Sequence, residues 1–286
     1  MLKLPHLLLS GCAALLLLAG CRNTPAVHSR LEKYRPEPSA ENCLLFHKAN
    51  RFKLHPNRQY AVFNTTPVQL PVAPSYNEEL IYDVTPMTLR NIIDPLMTGR
   101  IAPRQVRKVL LDPGHGGHDT GAVGKVSREK ELNFLLASEI GNALEKAGFQ
   151  VIMTRKKDIY LPLPARVAMV KKTGADIFIS VHHNSSRTNL QAAGIECFAF
   201  KTPRPEDTLL AALLQEQLIR YTGHTNRGVK FANFAVLRNN PVPAVLIEAG
   251  FMSNEAEERV LNTQEWRKKC AAAVAAALAD YARKAR

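Results

Sequence analysis

The stretch Lys108-Val109-Leu110-Leu111-Asp112-Pro113-Gly114-His115-Gly116-Gly117 decides how this 286-residue chain is read. Val109 to Leu111 is a short apolar run, and Asp112-Pro113-Gly114 breaks it off, as at the end of a strand. Helical spacing takes over at about Arg128 and lasts to Ala147, where Gly148 stops it. Gln150–Thr154 then reads as a strand, Ala165–Lys172 as a helix ahead of Gly174, and Asp176–Val181 as a second buried strand. Three more strands are predicted at Ile195–Phe200, Ala232–Leu237 and Ala244–Ile247, with helices over Thr208–Tyr221 and Gln264–Arg283. Strands that alternate with helices predict an α/β domain over residues 105–286. Its single, mainly parallel sheet is flanked by helices on both faces.

Working back toward the N-terminus, the pattern dissolves. Prolines recur at Pro25, Pro36, Pro38, Pro56, Pro67, Pro71, Pro74, Pro86, Pro95 and Pro103, and each removes a backbone donor. Residues 21–104 are expected to be a proline-rich tether and N-terminal region. Glu41 to Pro95 either packs short elements on the main domain or forms a small domain of its own. Residues 1–20 have the form of an export signal: Lys3, an apolar run Leu7–Leu18, then small residues. That run is short for a permanent membrane helix. Leu18-Ala19-Gly20-Cys21 resembles a bacterial lipobox, which implies lipidation of Cys21 and anchoring to a membrane.

The formal charge of +13 favours anionic partners. The cations are scattered, without an arginine-rich stripe or aromatic ladder, so nucleic acid is not expected as a partner. Once Cys12 and Cys21 are set aside, Cys43, Cys197 and Cys270 remain, an odd set without CxxC spacing, read as buried hydrophobes.

Chemistry concentrates where strands end. His115 follows the first strand, Ser180-Val181-His182-His183-Asn184 ends a later one, and Ile247-Glu248-Ala249-Gly250 ends another. In an open parallel sheet such ends line one edge, where ligands bind. At 100° per residue, Glu129 falls on the same helix face as Leu132, Leu136, Ile140 and Leu144, while Glu131 points away. A carboxylate in an apolar stripe needs a partner, and the histidines at the strand ends are the nearest candidates. Glu131 is read as solvated at the positive end of the helix. Two histidines and one glutamate with a fourth place left for water make a catalytic zinc site. Glu248 is then free to shuttle protons. Strand alternation lets only one of His182 and His183 face the site. His118 and His224 are read as loop residues, and His28, His47 and His55 as solvated.

From Val109 to about Asp280 the chain resembles the zinc-dependent N-acetylmuramoyl-L-alanine amidases of the type 3 class. The resemblance rests on Leu111 to Gly117, Arg128-Glu129-Lys130, Ser180-Val181-His182 with Asn184, and Pro243 to Asn254, in that order. It implies one zinc ion held by His115, Glu129 and His182, with Glu248 catalytic. Asp112, Asn184 and Arg166 are candidates for substrate contact or for supporting the metal ligands. Val170-Lys171 departs from the Ala-Asn often found after the arginine matching Arg166. Lys201 to Tyr221 is too short for the inhibitory helix that some members insert, so an open site is expected unless the N-terminal region covers it.

The implied activity is cleavage between N-acetylmuramic acid and L-alanine in peptidoglycan, by an exported enzyme tethered in the cell envelope and facing the periplasm. Arg22 after the cysteine, where an aspartate would signal retention, favours the outer membrane by analogy with sorting rules. The alternatives are a zinc peptidase acting on the peptide stem, or a lipoprotein that binds peptidoglycan without cutting it.

Overall fold

The computed structural model describes residues 26–39, 41–76 and 81–286. The export signal and Cys21 lie outside them, and no helix among the described residues is long and apolar enough to cross a membrane. Of the short N-terminal strands, Ala26–Val27, Ser75–Tyr76 and Ile81–Asp83 form a small sheet of their own, and five enter the main sheet: β1 (Glu37–Pro38), β2 (Cys43–His47), β3 (Asn50–Leu54), β4 (Tyr60–Phe63) and β5 (Thr66–Gln69). After a helical stretch over Pro86–Thr98, the alternating part begins with β6 (Lys108–Pro113), α1 (Glu129–Lys146), β7 (Gln150–Met153) and α2 (Leu163–Thr173). It continues through β8 (Ile177–Asn184), β9 (Ile195–Phe200), α3 (Pro205–Thr222), β10 (Asn226–Ala232) and β11 (Ala244–Phe251). The last helices are α4 (Glu255–Leu261) and α5 (Gln264–Lys284).

Strands β1 to β11 join one sheet, in the order β7-β6-β8-β11-β9-β10-β5-β4-β3-β2-β1. The first four in that order run parallel. β9 is antiparallel to β11 and parallel to β10, so the six strands of residues 108–251 form the mainly parallel sheet with one reversal. β5 pairs parallel with β10, and β1 to β5 form an antiparallel meander.

The apolar runs of β6, β8 and β11 are explained by helices on both sides. On one face Val109, Leu111, Ile177, Ile179, Val245 and Ile247 meet α1, α3 and α5 in the main core. Leu132, Leu136, Ile140 and Leu144 of α1, spaced four apart, are all buried there, each contributing roughly 1.5–3 kcal/mol. On the other face Leu110, Phe178, Ala244 and Leu246 pack under Val170 of α2 and under Val236, Leu237 and Val242. Gly174, left-handed at φ 63°, ends α2 and turns the chain back into the sheet.

One expectation changes. The predicted strand Ala232–Leu237 lies six residues earlier at its start, over Asn226–Ala232, and residues 235–239 form a turn. Gly228, with φ 82°, lets the strand pass Pro67, where a β-carbon would come within 2.2 Å of the Pro67 carbonyl oxygen. The glycine serves a strand that crosses close to its neighbour. Of the two arrangements left open for Glu41 to Pro95, the structure has short elements that pack on the main domain. Cys43, Leu45, Phe52, Leu54, Ala61, Phe63 and Val68 alternate into the same core as α3 and α5. Cys43, Cys197 and Cys270 are free and buried.

Candidate metal centre

The strand ends are held in line by pairing. Ser180 lies opposite Asp112, and His182 lies opposite Glu248, which in turn lies opposite Glu196. Glu196, Glu248 and His182 thus form one row across three strands. His115 stands just past β6 with its backbone in the left-handed region, at φ 59°, a strained conformation for a side chain with a β-carbon. Two buried guanidinium groups hold it there. Arg166 donates to the carbonyls of His115 (2.7 Å) and Pro113 (2.8 Å) and to Asp112 Oδ1 (2.8 Å), while Arg155 donates to the carbonyls of Pro113 and Gly114 at 3.1 Å each. Asp112 also accepts from Thr154 (2.7 Å) and Ser180 (2.9 Å). Asp112 and Arg166 therefore organise the loop backbone. Gly114 leaves room for a ring: a β-carbon there would lie 2.2 Å from His182 Cε1.

Glu129, in the first turn of α1, is buried as its position on the stripe requires. Its Oε1 lies 3.1 Å from His115 Nε2 and 2.9 Å from His182 Nδ1. Oε1 also accepts from Asn133 Nδ2 at 3.2 Å, and Oε2 from the Ala122 amide at 2.9 Å. Burial works to raise the Glu129 carboxyl, but the hydrogen bonds and charge of the two histidines outweigh it and hold the group well below the carboxylate range. Burial likewise lowers His115, and Glu129 and Asp119 overcome it, leaving the ring above its usual value.

Donor atoms of His115, Glu129 and His182 lie within 4.8 Å of one another, and the three could hold a metal ion. Two imidazole nitrogens, a carboxylate and an open fourth side are the donor set of a catalytic zinc site. His115 and His182 keep 24% and 17% of their side-chain surface exposed, so the centre is reachable from solvent. Beside them lies a cavity of about 210 Å³ that also touches Asp119, Tyr160, Leu163 and Val236.

Glu248 reaches the same edge with its Oε2 shut away from solvent and without a hydrogen-bond partner. Burial raises its carboxyl well above the usual range, and the negative charges of Glu129 and Glu196 add to the effect. Asn184 does not touch the metal group. Its Nδ2 donates to Glu196 Oε1 at 2.9 Å, and Glu196 also pairs with Arg227 at 2.8 Å and with Lys230. His183 points into the core, where Nδ1 lies 2.8 Å from Asn133 Oδ1. His118 stacks on Tyr160, with ring centroids 4.2 Å apart.

Asp119 escaped the sequence reading. Its Oδ2 lies 2.9 Å from His115 Nδ1, the support that metal-binding histidines generally have. The available signal was weak: an acidic residue four positions on, within a glycine-rich loop where no periodicity assigns a direction.

The whole constellation falls inside residues 109–280, which match the family model described as N-acetylmuramoyl-L-alanine amidase. The chain is 29% identical over 298 residues to the amidase AmiC of Escherichia coli O6:H1, across 80% of this chain and 70% of that protein. It is 32% identical over 227 residues to AmiC of Neisseria meningitidis serogroup B, across 64% of this chain and about half (54%) of that protein. Among solved structures, the catalytic domain of the amidase CwlV from Bacillus (Paenibacillus) polymyxa var. colistinus superposes with a TM-score of 0.58 at 32% identity, over 62% of this chain and 98% of that one. An N-acetylmuramoyl-L-alanine amidase from Clostridium difficile 630 gives 0.60 at 31% identity, over 62% and 97%. Through residues 109–280, with both histidines and both glutamates in place, the chain belongs to the N-acetylmuramoyl-L-alanine amidase family.

Proposed function

We propose that the protein hydrolyses the amide between N-acetylmuramic acid and L-alanine in peptidoglycan, with zinc held by His115, Glu129 and His182 and with Glu248 as general acid and base. The observation that carries this reading is the row of strand ends, which sets the unpaired Glu248 Oε2 opposite His182. Bound at that centre, zinc would supply a water acidic enough to attack near neutral pH and a Lewis acid for the scissile carbonyl.

This chain's residues account for the rest. Asp119 accepts a hydrogen bond from the Nδ1–H of His115, which leaves the Nε2 lone pair facing the centre. Arg155 and Arg166 fix the loop that aims the ring. Glu248, whose surroundings favour its protonated form, can hold a proton at Oε2 and pass it to the departing alanine nitrogen. A module that only binds peptidoglycan has no use for Glu248, and a stem peptidase would be out of keeping with the amidase names of its relatives. The same reading has the mature chain begin at a lipidated Cys21, working in the envelope on the periplasmic side.

The test is digestion of peptidoglycan by a soluble form starting at residue 22, beside Glu248→Gln and a metal-stripped sample. Stem peptides with a free L-alanine amine are expected, lost on stripping and restored by zinc. Glu248→Gln should keep its zinc and lose roughly 10²–10⁴-fold in rate. Shortened peptides on intact muramoyl groups would establish a peptidase, and failure to bind zinc would remove the mechanism. For the anchor, Cys21→Ser in the full chain is expected to abolish fatty-acid labelling and release the protein from membranes; unchanged labelling would refute lipidation at Cys21.

A further inference from the structure

The geometry points to a binding groove for the peptide half of the substrate, between α2 and the loop of residues 233–242, where Lys171 and Arg238 receive a stem carboxylate. This rests on the amidase reading. The cavity at the metal centre reaches Leu163. A second groove of about 590 Å³ begins at that residue, lined by Val167, Ala235, Pro241, Lys171 and Arg238. Leu163 lines both spaces, and Val236 of the first adjoins Ala235 of the second. The two spaces meet at Leu163, and the groove is of a size suited to a ligand.

Its chemistry selects one half of the substrate. Leu163 opens α2 and is 50% exposed, leaving an apolar side chain in water at the mouth. Eight residues further along α2 is Lys171, roughly 12 Å away at 1.5 Å per residue. Arg238 donates Nε to Asn233 at 3.0 Å. Among the described residues, neither Lys171 nor Arg238 is in an ion pair. An apolar lining with two uncommitted cations suits a short peptide with small side chains and free carboxylates. A neutral, hydroxyl-covered glycan has no use for either feature. The peptide would leave the metal centre over Leu163, and the sugar would lie on the opposite side of the scissile amide.

The experiment compares kcat/KM on a muramoyl peptide with free stem carboxylates and on the same peptide with those carboxylates amidated. The parent is expected to prefer the free acid. In the double variant Lys171→Glu with Arg238→Glu that preference should fall about tenfold, as expected for reversing two exposed charges, and the change should sit in KM. Lys146→Glu with Lys268→Glu controls for net charge and should keep the parent's preference. Ala168→Trp, on the exposed helix surface beside the groove, should raise KM for both peptides by filling it. Equal preference in the parent and the Lys171/Arg238 variant overturns the groove, as does a loss that tracks glycan length. If the parent releases no stem peptide from any substrate, the amidase reading has failed instead.

Discussion

Asp119 Oδ2 lies 2.9 Å from His115 Nδ1, and that contact decides which ring nitrogen is turned toward the metal centre. Removing such a partner typically costs 10–100-fold in metal affinity. Asp119→Ala is therefore expected to weaken zinc binding by about that factor, measured against a competing chelator, with little change in thermal unfolding of the metal-free protein. Unchanged affinity would mean that the loop backbone alone orients His115. At this scale the legible residues were those whose position conflicts with their surroundings. Glu129 stands out in sequence because a carboxylate interrupts an apolar stripe, and the histidines stand out because strands end beside them. Asp119 and Glu196 were not legible. Asp119 lies in a loop without periodicity, and Glu196 becomes informative only once β9 is known to run antiparallel beside β11 and so to face Glu248.

The loop leading into α1 is fastened by a neighbouring helix. Glu258 of α4 is buried and accepts from the amides of Lys125, Val126 and Ser127 at 2.9, 3.1 and 3.1 Å and from the Ser127 hydroxyl at 2.8 Å. Burial works to raise its carboxyl, but these donors outweigh it and set it below the usual 4.5. A carboxyl depressed in the folded state stabilises above its unfolded value, and that contribution disappears as pH falls through the folded value. Glu258→Gln is thus expected to cost about 2 kcal/mol at neutral pH, the scale of hydrogen bonds to a charged group. Urea unfolding should show the difference from the parent shrinking below about pH 4.5. A difference independent of pH would refute the charge argument. Helices announced themselves through spacing and stop signals, whereas Ala232–Leu237 misled because a run of apolar residues packs against the outer core equally well as a turn.

For the molecule as a whole, the decisive feature is that the N-terminal strands finish the sheet. In sequence their prolines and lack of helical period masked a period of two, visible only after Phe52, Leu54, Ala61 and Phe63 are seen to share a buried face. A chain beginning at residue 105 would bare the β10 edge and strip those side chains from the core. It is expected to self-associate and to unfold with a smaller dependence on urea, checked by light scattering and denaturant titration. A monomer as stable as the parent would show that the meander is a separate unit.

The joint between meander and catalytic sheet has a mechanical side. β5 meets β10 at a single register pair, Val68 with Val229, reinforced by a bond from the Phe231 amide to the Gln69 side chain at 3.1 Å. Were the chain held by its N-terminus while gripping a stiff polymer, tension applied ahead of β1 would pass through β2 to β5 before reaching that joint. The metal centre lies beyond it, on strands braced by two layers of helix, so a load from the N-terminus meets the seam and the shared core before it meets the chemistry.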